Sequence, residues 1–211
     1  MPHSARREPP FNYAPVGATQ VEDYRGTSPF RNRISQERVQ IGVGQARWEH
    51  AGKEILSWGL QRRAGYSVVP LGHPHNADGE SAPHGRSAAA LPPVAPGAAV
   101  QLRRRLGPLP ISMPTRVVYV LDEPHRKGFA FGTLAGHPVS GEVAFIVERS
   151  PDDSVWFTLR SLSGPGKGLW WITYPIVVLL RGRFRNSYLQ ALAEPLEALQ
   201  AGDDGSRGYG S

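Results

Sequence analysis

The strongest constraint on the fold is a series of five strand-like segments between residues 98 and 162. Turn-forming residues such as Gly107-Pro108 and Pro151-Asp152-Asp153 separate each segment from the next. The segments are 98–106, 115–123, 127–135, 141–149 and 154–162. Short strands at a spacing of roughly ten residues, joined by tight turns, are typical of an antiparallel meander. We therefore predict a sheet in which consecutive strands are neighbours.

The side-chain pattern within these segments predicts a sheet with one apolar face. Val143, Phe145 and Val147 share one face of their strand, and Glu142 and Glu148 fall on the opposite face. Because successive side chains of a strand point to opposite faces, the apolar set marks the side that a core must cover.

Two helices are expected to supply that cover. Apolar residues recur at spacings of three and four between 45 and 63, which predicts a helix whose inner face carries Trp48 and Trp58, with Gly44 as its N-cap. The second begins with the apolar run Leu169–Leu180 and continues as an amphipathic sequence that ends before 201. A membrane span needs about twenty apolar residues, so this run predicts a buried C-terminal helix instead. An interfacial membrane helix stays open as an alternative, because arginines follow the apolar run.

This order of elements predicts an α+β fold of the helix-grip class, a curved antiparallel sheet wrapped around a long C-terminal helix. A single helix does not fill the concave side of such a sheet, so a cavity is expected between them. We predict one domain over 11–200, with a long loop at 71–97. Residues 1–10 and the Gly/Asp/Ser-rich tail 201–211 are predicted to be disordered.

Composition excludes several classes of function. The chain has no cysteine, so disulfides and thiolate sites are absent. The net charge is +6, but the basic residues are mostly arginine and are spread along the chain without a nucleic-acid-binding motif, so we predict no nucleic-acid partner. His73, His75 and His84 lie in the Pro/Gly-rich loop, where histidines are usually solvated rather than held as ligands, and we predict neither a metal site nor a cofactor. The N-terminus lacks an apolar signal region, which favours a cytoplasmic location.

The densest group of polar residues that suggest a site lies between Pro114 and Glu148. Glu123, His137 and Glu142 are candidates for a general acid–base pair, and Arg116 or Arg126 could hold an anionic group. The competing interpretation is structural, because all of these residues fall at strand ends or turns. In that interpretation they form ion pairs that stabilise the hairpins.

Several segments resemble a bacterial and plant family of uncharacterised proteins. They include NYAPVGAT at 12–19, AGYSV at 64–68, APGAAV at 95–100, VWFTLRSLS at 155–163 and, most specifically, RVVYVLDEPHRKGFAFGTLAGHPVSGEVAF at 116–145. Through these segments the chain resembles the domain of unknown function 1990 family, also called uncharacterised protein family 0548. The resemblance implies a fold of the Bet v 1-like, START-like superfamily and no established activity.

The sequence therefore predicts a protein that binds a small hydrophobic or amphipathic ligand in a cavity between sheet and helix. The candidate contacts are Arg116, Tyr119, Arg126, Phe129, Phe131, Trp171 and Tyr174. Two alternatives stay open. One is an enzyme that acts on such a ligand through Glu123, His137 or Glu142. The other is a membrane-surface or protein-interaction module that uses the apolar and basic C-terminal helix.

Overall fold

The computed structural model describes residues 9–21, 34–71, 91–106, 109–165, 182–183 and 185–192. Within them, seven strands form one antiparallel sheet and two short helices follow the first strand. The strands are β1 (Ser35–Val43), β2 (Ser67–Pro70), β3 (Ala99–Leu106), β4 (Leu109–Asp122), β5 (Arg126–Thr133), β6 (Val139–Arg149) and β7 (Ser154–Pro165). The helices are α1 (Gln45–Leu56) and α2 (Gly59–Arg63).

The strand order is β1-β7-β6-β5-β4-β3-β2, so β2 to β7 form a continuous meander and β1 returns to pair with β7. Every pairing is antiparallel, and β6 and β7 are in register from Val139↔Pro165 to Arg149↔Val155. The predicted α+β helix-grip class is confirmed by this sheet and by the helices placed on one of its faces.

The structure differs from the predicted elements at two places. A strand precedes the predicted series: β1 runs over nine residues because its backbone pairs with β7 from Ser35 to Val43. The helix expected over 45–63 is wrong as a single element, since it ends at Leu56 and resumes at Gly59. The predicted N-cap at Gly44 is confirmed, with a φ of 85°.

Trp58 explains the break between α1 and α2. Its backbone adopts the left-handed conformation, with a φ of 61°. Its indole is buried edge-on against Phe129, with ring centroids 5.2 Å apart, and its Nε1–H donates to the Pro92 carbonyl at 2.9 Å. Burial of the large ring therefore outweighs the helical preference of the chain at this point.

The inner face of the sheet carries the main core. Phe129 and Phe145 are fully buried neighbours on β5 and β6, and Trp48 and Ile55 of α1 belong to the same cluster. Residues 185–191 are helical, and Tyr188 joins this cluster on the inner side. The remainder of the predicted C-terminal helix, the tail 201–211, residues 1–8 and most of the 71–97 loop lie outside the described residues.

The outer face of the sheet is covered in part by residues 9–21. This N-terminal segment pairs at Phe11 with Leu134 through an isolated bridge and forms a short 3-10 helix at Ala18–Gln20. Asn12 N–H donates to the Thr133 carbonyl at 3.1 Å, which fixes the segment at the end of β5. A smaller apolar cluster around Ala130, Ala144 and Ile146 lies on the outer face.

Trp58→Ala should lower the free energy of unfolding by about 3–5 kcal/mol, because it empties the junction between α1, α2 and β5. Trp156→Ala serves as the matched control, since Trp156 lies on β7 with a ring that is only partly buried. Urea unfolding followed by circular dichroism measures both. Equal losses for the two variants would contradict the assigned role of Trp58.

Candidate functional site

A cavity of about 320 Å³ lies between the inner face of the sheet and the helical residues at 185 and 188. Most of its wall is apolar. The apolar residues of its lining are Tyr66, Leu102, Met113, Phe131, Val139, Val143, Leu159, Leu162 and Tyr188. The polar or charged residues of its lining are Ser35, Glu37, Thr133, His137, Glu142, Ser161, Ser163 and Arg185, and the carboxylate of Glu142 is bonded to residues 13–19.

Four interactions hold the helical residues 185–192 over this cavity. Tyr188 stacks on Tyr66 with ring centroids 5.5 Å apart and an interplanar angle of 11°. Arg185 Nη1 donates to Glu37 Oε1 of β1 at 2.8 Å. The other two are Arg104 Nη1 donating to Ser187 Oγ at 3.3 Å, and Arg47 Nη1 donating to the Leu192 carbonyl at 3.3 Å. Residues from both edges of the sheet and from α1 therefore position the helix.

His137 lines the cavity from the turn between β5 and β6. Gly136 makes this turn with a φ of 91°, and His137 N–H donates to the Leu134 carbonyl at 3.1 Å. Nδ1 lies 2.9 Å from both the backbone nitrogen and the carbonyl oxygen of Val139, so the turn itself occupies this ring nitrogen. Burial lowers the pKa of His137 to about 4, which keeps the ring neutral at physiological pH.

Glu142 occupies a separate polar cluster on the outer face of β6. It is fully buried, and among the described residues its carboxylate accepts hydrogen bonds from 13–19 alone. Oε2 accepts from Tyr13 Oη–H at 2.6 Å and from Gly17 N–H at 2.7 Å, and Oε1 accepts from Thr19 N–H at 2.9 Å and from the Thr19 hydroxyl. Tyr119 Oη–H then donates to Thr19 Oγ1 at 2.9 Å. Desolvation and the Glu142 carboxylate together raise the pKa of Tyr13.

Gly132 makes this cluster sterically accessible to the N-terminal segment. A Cβ at this position would lie 2.2 Å from Tyr13 Oη and 2.8 Å from a ring carbon of Phe11. Glycine therefore allows both aromatic rings to pack directly on β5, next to the strand that carries Glu142.

The structure separates the predicted catalytic residues. Glu123 is exposed at the hairpin between β4 and β5, where its N–H donates to the Arg126 carbonyl at 2.9 Å. His137 lies in the turn after β5, and Glu142 lies near the start of β6, at the opposite end of these strands from Glu123. All three residues are described, and no hydrogen bond or ion pair joins any two of them.

The predicted ligand contacts are also divided between the two faces. Arg116, Tyr119 and Arg126 lie on the outer face. Arg116 donates to the Pro9 carbonyl at 3.1 Å. Tyr119 is hydrogen-bonded to Thr19 at 2.9 Å, and Arg126 forms an ion pair with Glu148 at 3.2 Å. Phe129 is in the inner core and Phe131 lines the cavity. Trp171 and Tyr174 lie outside the described residues.

Sequence reasoning missed the polar residues on β1 and β7 that line the cavity. Ser35 and Glu37 belong to the part of β1 that was not recognised as a strand, because a pattern with polar residues on both faces carries no period-two signal. Tyr13 and Thr19 were quoted only as part of NYAPVGAT. Their role depends on the contact with Glu142, which is more than a hundred residues away in sequence.

The described part of the chain offers neither a metal site nor a membrane-spanning helix. No group of three histidine or acidic side chains there is arranged to hold a metal ion. No described helix is long and apolar enough to cross a membrane. The histidines of the 71–97 loop and the apolar run at 169–180 are outside these residues.

Glu142→Gln should lower the free energy of unfolding by at least about 2 kcal/mol, because each carboxylate oxygen accepts from a backbone N–H. Whichever way the new amide turns, its NH2 group faces one of these donors. Glu148→Gln is the matched control, since Glu148 lies on the same strand and face but is half-exposed and forms surface ion pairs. Urea unfolding tests the pair. A loss no larger than that of the control would contradict the anchoring role.

The His137 pKa also predicts a pH dependence of stability. Its folded pKa of about 4 lies below the ordinary value of 6.5, so the unfolded state takes up the proton first as the pH falls. The contribution of the neutral His137 ring to the free energy of unfolding is fully present at neutral pH. It falls by about 2–3 kcal/mol between about pH 7 and about pH 4.5, as the unfolded state takes up the proton. His137→Asn, whose Oδ1 can accept the Val139 N–H, should remove this part of the dependence. Unfolding curves at both pH values measure it, and identical slopes for the two proteins would count against it.

Comparison with known proteins identifies a relative that matches most of this chain in sequence. A UPF0548 protein from Deinococcus radiodurans is 33% identical over 181 residues, covering 79% of this chain and 80% of that protein. Among solved structures, a hypothetical protein from Helicobacter pylori has a TM-score of 0.47 at 9% identity, covering 76% of this chain and 84% of that one. Major latex-like protein 151 from Panax ginseng has a TM-score of 0.38 at 11% identity, covering 76% and 95%.

The structural similarities are too low to carry an argument about function, so the fold assignment depends on the strand order and helix placement described above. The family assignment comes from the sequence. The family model described as Domain of unknown function (DUF1990) matches residues 12–191. This match includes the N-terminal segment, the whole sheet and the helical residues over the cavity, and the chain belongs to the DUF1990 family.

Proposed function

We propose that this protein binds a small, largely apolar ligand in the cavity between the sheet and the helical residues 185–188. The observation that carries this proposal is the cavity itself, about 320 Å³ in volume with a mostly apolar wall. Binding sites for small molecules are typically concave, about 300–1,000 Å³ in volume and mainly apolar, with a few polar groups that orient the ligand.

Aromatic side chains give the cavity a surface suited to a ring system. Tyr66 and Tyr188 are stacked on one another, and Phe131 packs beside Phe145 with ring centroids 5.4 Å apart. Because these rings are held by the core, they need little reorganisation when a ligand enters. Transfer of an apolar molecule from water to this surface contributes about 25 cal/mol for each Å² buried.

The arrangement of polar groups favours binding over the enzymatic alternative. A general acid–base pair requires two titratable groups that reach the same reacting atom. Here the Glu142 carboxylate is used by the N-terminal segment, and Glu123 is exposed at the far hairpin. His137 and Glu142 both belong to the cavity lining, but both carboxylate oxygens of Glu142 are hydrogen-bonded to residues 13–19. His137 is therefore left without a titratable partner among the three candidates.

Binding is tested with N-phenyl-1-naphthylamine, an uncharged dye that becomes fluorescent in apolar sites. The wild type should bind it saturably. Val143→Trp, which fills the cavity from β6, should weaken binding by at least about tenfold without lowering the melting temperature. Val43→Trp is the control, because Val43 is exposed on β1 outside the cavity, and this variant should bind as the wild type does.

Native mass spectrometry of gently purified protein provides a second measurement. A retained small molecule in the wild type, displaced by the dye and absent from Val143→Trp, would support the proposal. Dye binding that is absent from the wild type, or that is unchanged by Val143→Trp, would overturn it.

A further inference from the structure

The charged side chains around the cavity are already compensated. Glu37 and Arg185 form an ion pair at 2.8 Å, and both line the cavity. The carboxylate of Glu142 accepts four hydrogen bonds from residues 13–19 on the outer face. His137 is neutral at physiological pH, since burial holds its pKa low. The described lining therefore presents no unpaired charge to a ligand.

Two serine hydroxyls, by contrast, are available. Ser35 of β1 and Ser161 of β7 are direct register partners, and both line the cavity from the inner face of the sheet. Neither hydroxyl makes a hydrogen bond with any part of the chain that the structure describes. A hydroxyl can both donate and accept, so this pair offers hydrogen bonds to a hydroxyl, a carbonyl or an amide.

One side of the cavity lies nearer to solvent than the rest. Ser35 is exposed, and the side chains of Glu37 and Arg185 are 34% and 46% exposed, which places this group where the cavity meets solvent. Leu102 and Phe131 are only 2% and 5% exposed. A ligand is thus expected to enter with its apolar body inward and its polar group toward β1.

We propose that the cavity selects an uncharged amphipathic molecule: an apolar ring body packed on the inner aromatic wall, and a neutral hydrogen-bonding head held by Ser35 and Ser161. This inference rests on the proposed ligand-binding function and names the chemical class. The Glu37–Arg185 pair acts as the specificity element. A carboxylate head would lie close to Glu37, and an ammonium head close to Arg185, and either would lose hydration without gaining a free counter-charge.

The test uses four naphthalene probes substituted at the same ring carbon: naphthalenemethanol, methylnaphthalene, naphthoate and naphthylmethylammonium. Their dissociation constants are measured at neutral pH by calorimetry or probe fluorescence. The alcohol should bind about 3- to 10-fold more tightly than methylnaphthalene, the gain expected from net hydrogen bonding. It should also bind at least about tenfold more tightly than either charged probe.

The serine contact is tested with the double variant Ser35→Ala, Ser161→Ala. It should remove the preference for the alcohol over methylnaphthalene and leave the affinity for methylnaphthalene unchanged. Ser67→Ala is the matched control, because Ser67 is exposed on β2 outside the cavity, and it should preserve the preference.

The charge filter is tested by neutralising each member of the ion pair. Glu37→Gln leaves the Arg185 charge without its partner and should strengthen naphthoate binding by about tenfold, with no gain for the ammonium probe. Arg185→Gln should produce the reverse order. Asp153→Asn changes charge by the same amount as Glu37→Gln at an exposed turn outside the cavity, and it should alter neither affinity.

The outcomes separate this inference from the proposed function. If methylnaphthalene binds and the head group makes no difference, or if a charged probe binds the wild type best, the class assignment is overturned while ligand binding stands. If none of the four probes binds, ligand binding in this cavity fails and the class assignment fails with it. Tight alcohol binding that survives the double serine variant would overturn the assigned contact.

Discussion

The burial of one carboxylate, that of Glu142, organises the outer side of the sheet. A buried carboxylate is costly unless its oxygens are hydrogen-bonded, and within the described part of the chain the donors to Glu142 come from residues 13–19. The N-terminal segment must therefore adopt one conformation on β6. Gly132 permits this by removing the side chain that would otherwise separate Tyr13 and Phe11 from the sheet.

With the outer face anchored in this way, the inner face is left to the helices. Tyr188 is fixed there by Tyr66 and Phe145, and Arg185 reaches Glu37 on the opposite edge strand. The helical residues consequently span the sheet above Phe131 and Val143. The space beneath them is the cavity.

The polar residues of 116–142 illustrate how far sequence reasoning extended. Their positions at strand ends and turns were predicted from alternation and turn residues, and the structure places Glu123 and His137 in turns but Arg116 in the middle of β4, because that strand begins at Leu109. Whether they met at one site was not predictable. Glu123 and Glu142 are at opposite ends of the meander, and the faces on which Arg116 and Tyr119 lie depend on a register shift between Val117 and Tyr119. A bulge of this kind leaves no signal in a short stretch of β-branched and aromatic residues.

The sequence by itself determined the order of the meander strands β3 to β7, the apolar face and the family, because period-two alternation, turn residues and the signature at 116–145 are local properties of the chain. The tertiary structure alone decided which polar residues face the cavity. Glu142 was predicted as an acid–base or ion-pair candidate on the face opposite the apolar set, and it is a fully buried anchor because residues 13–19 pack over it. Ser35, Glu37 and Arg185 come from distant parts of the sequence and share one cavity only after β1 pairs with β7 and the helix crosses the sheet. Contacts at such separation are set by packing and long-range pairing, and no local pattern encodes them.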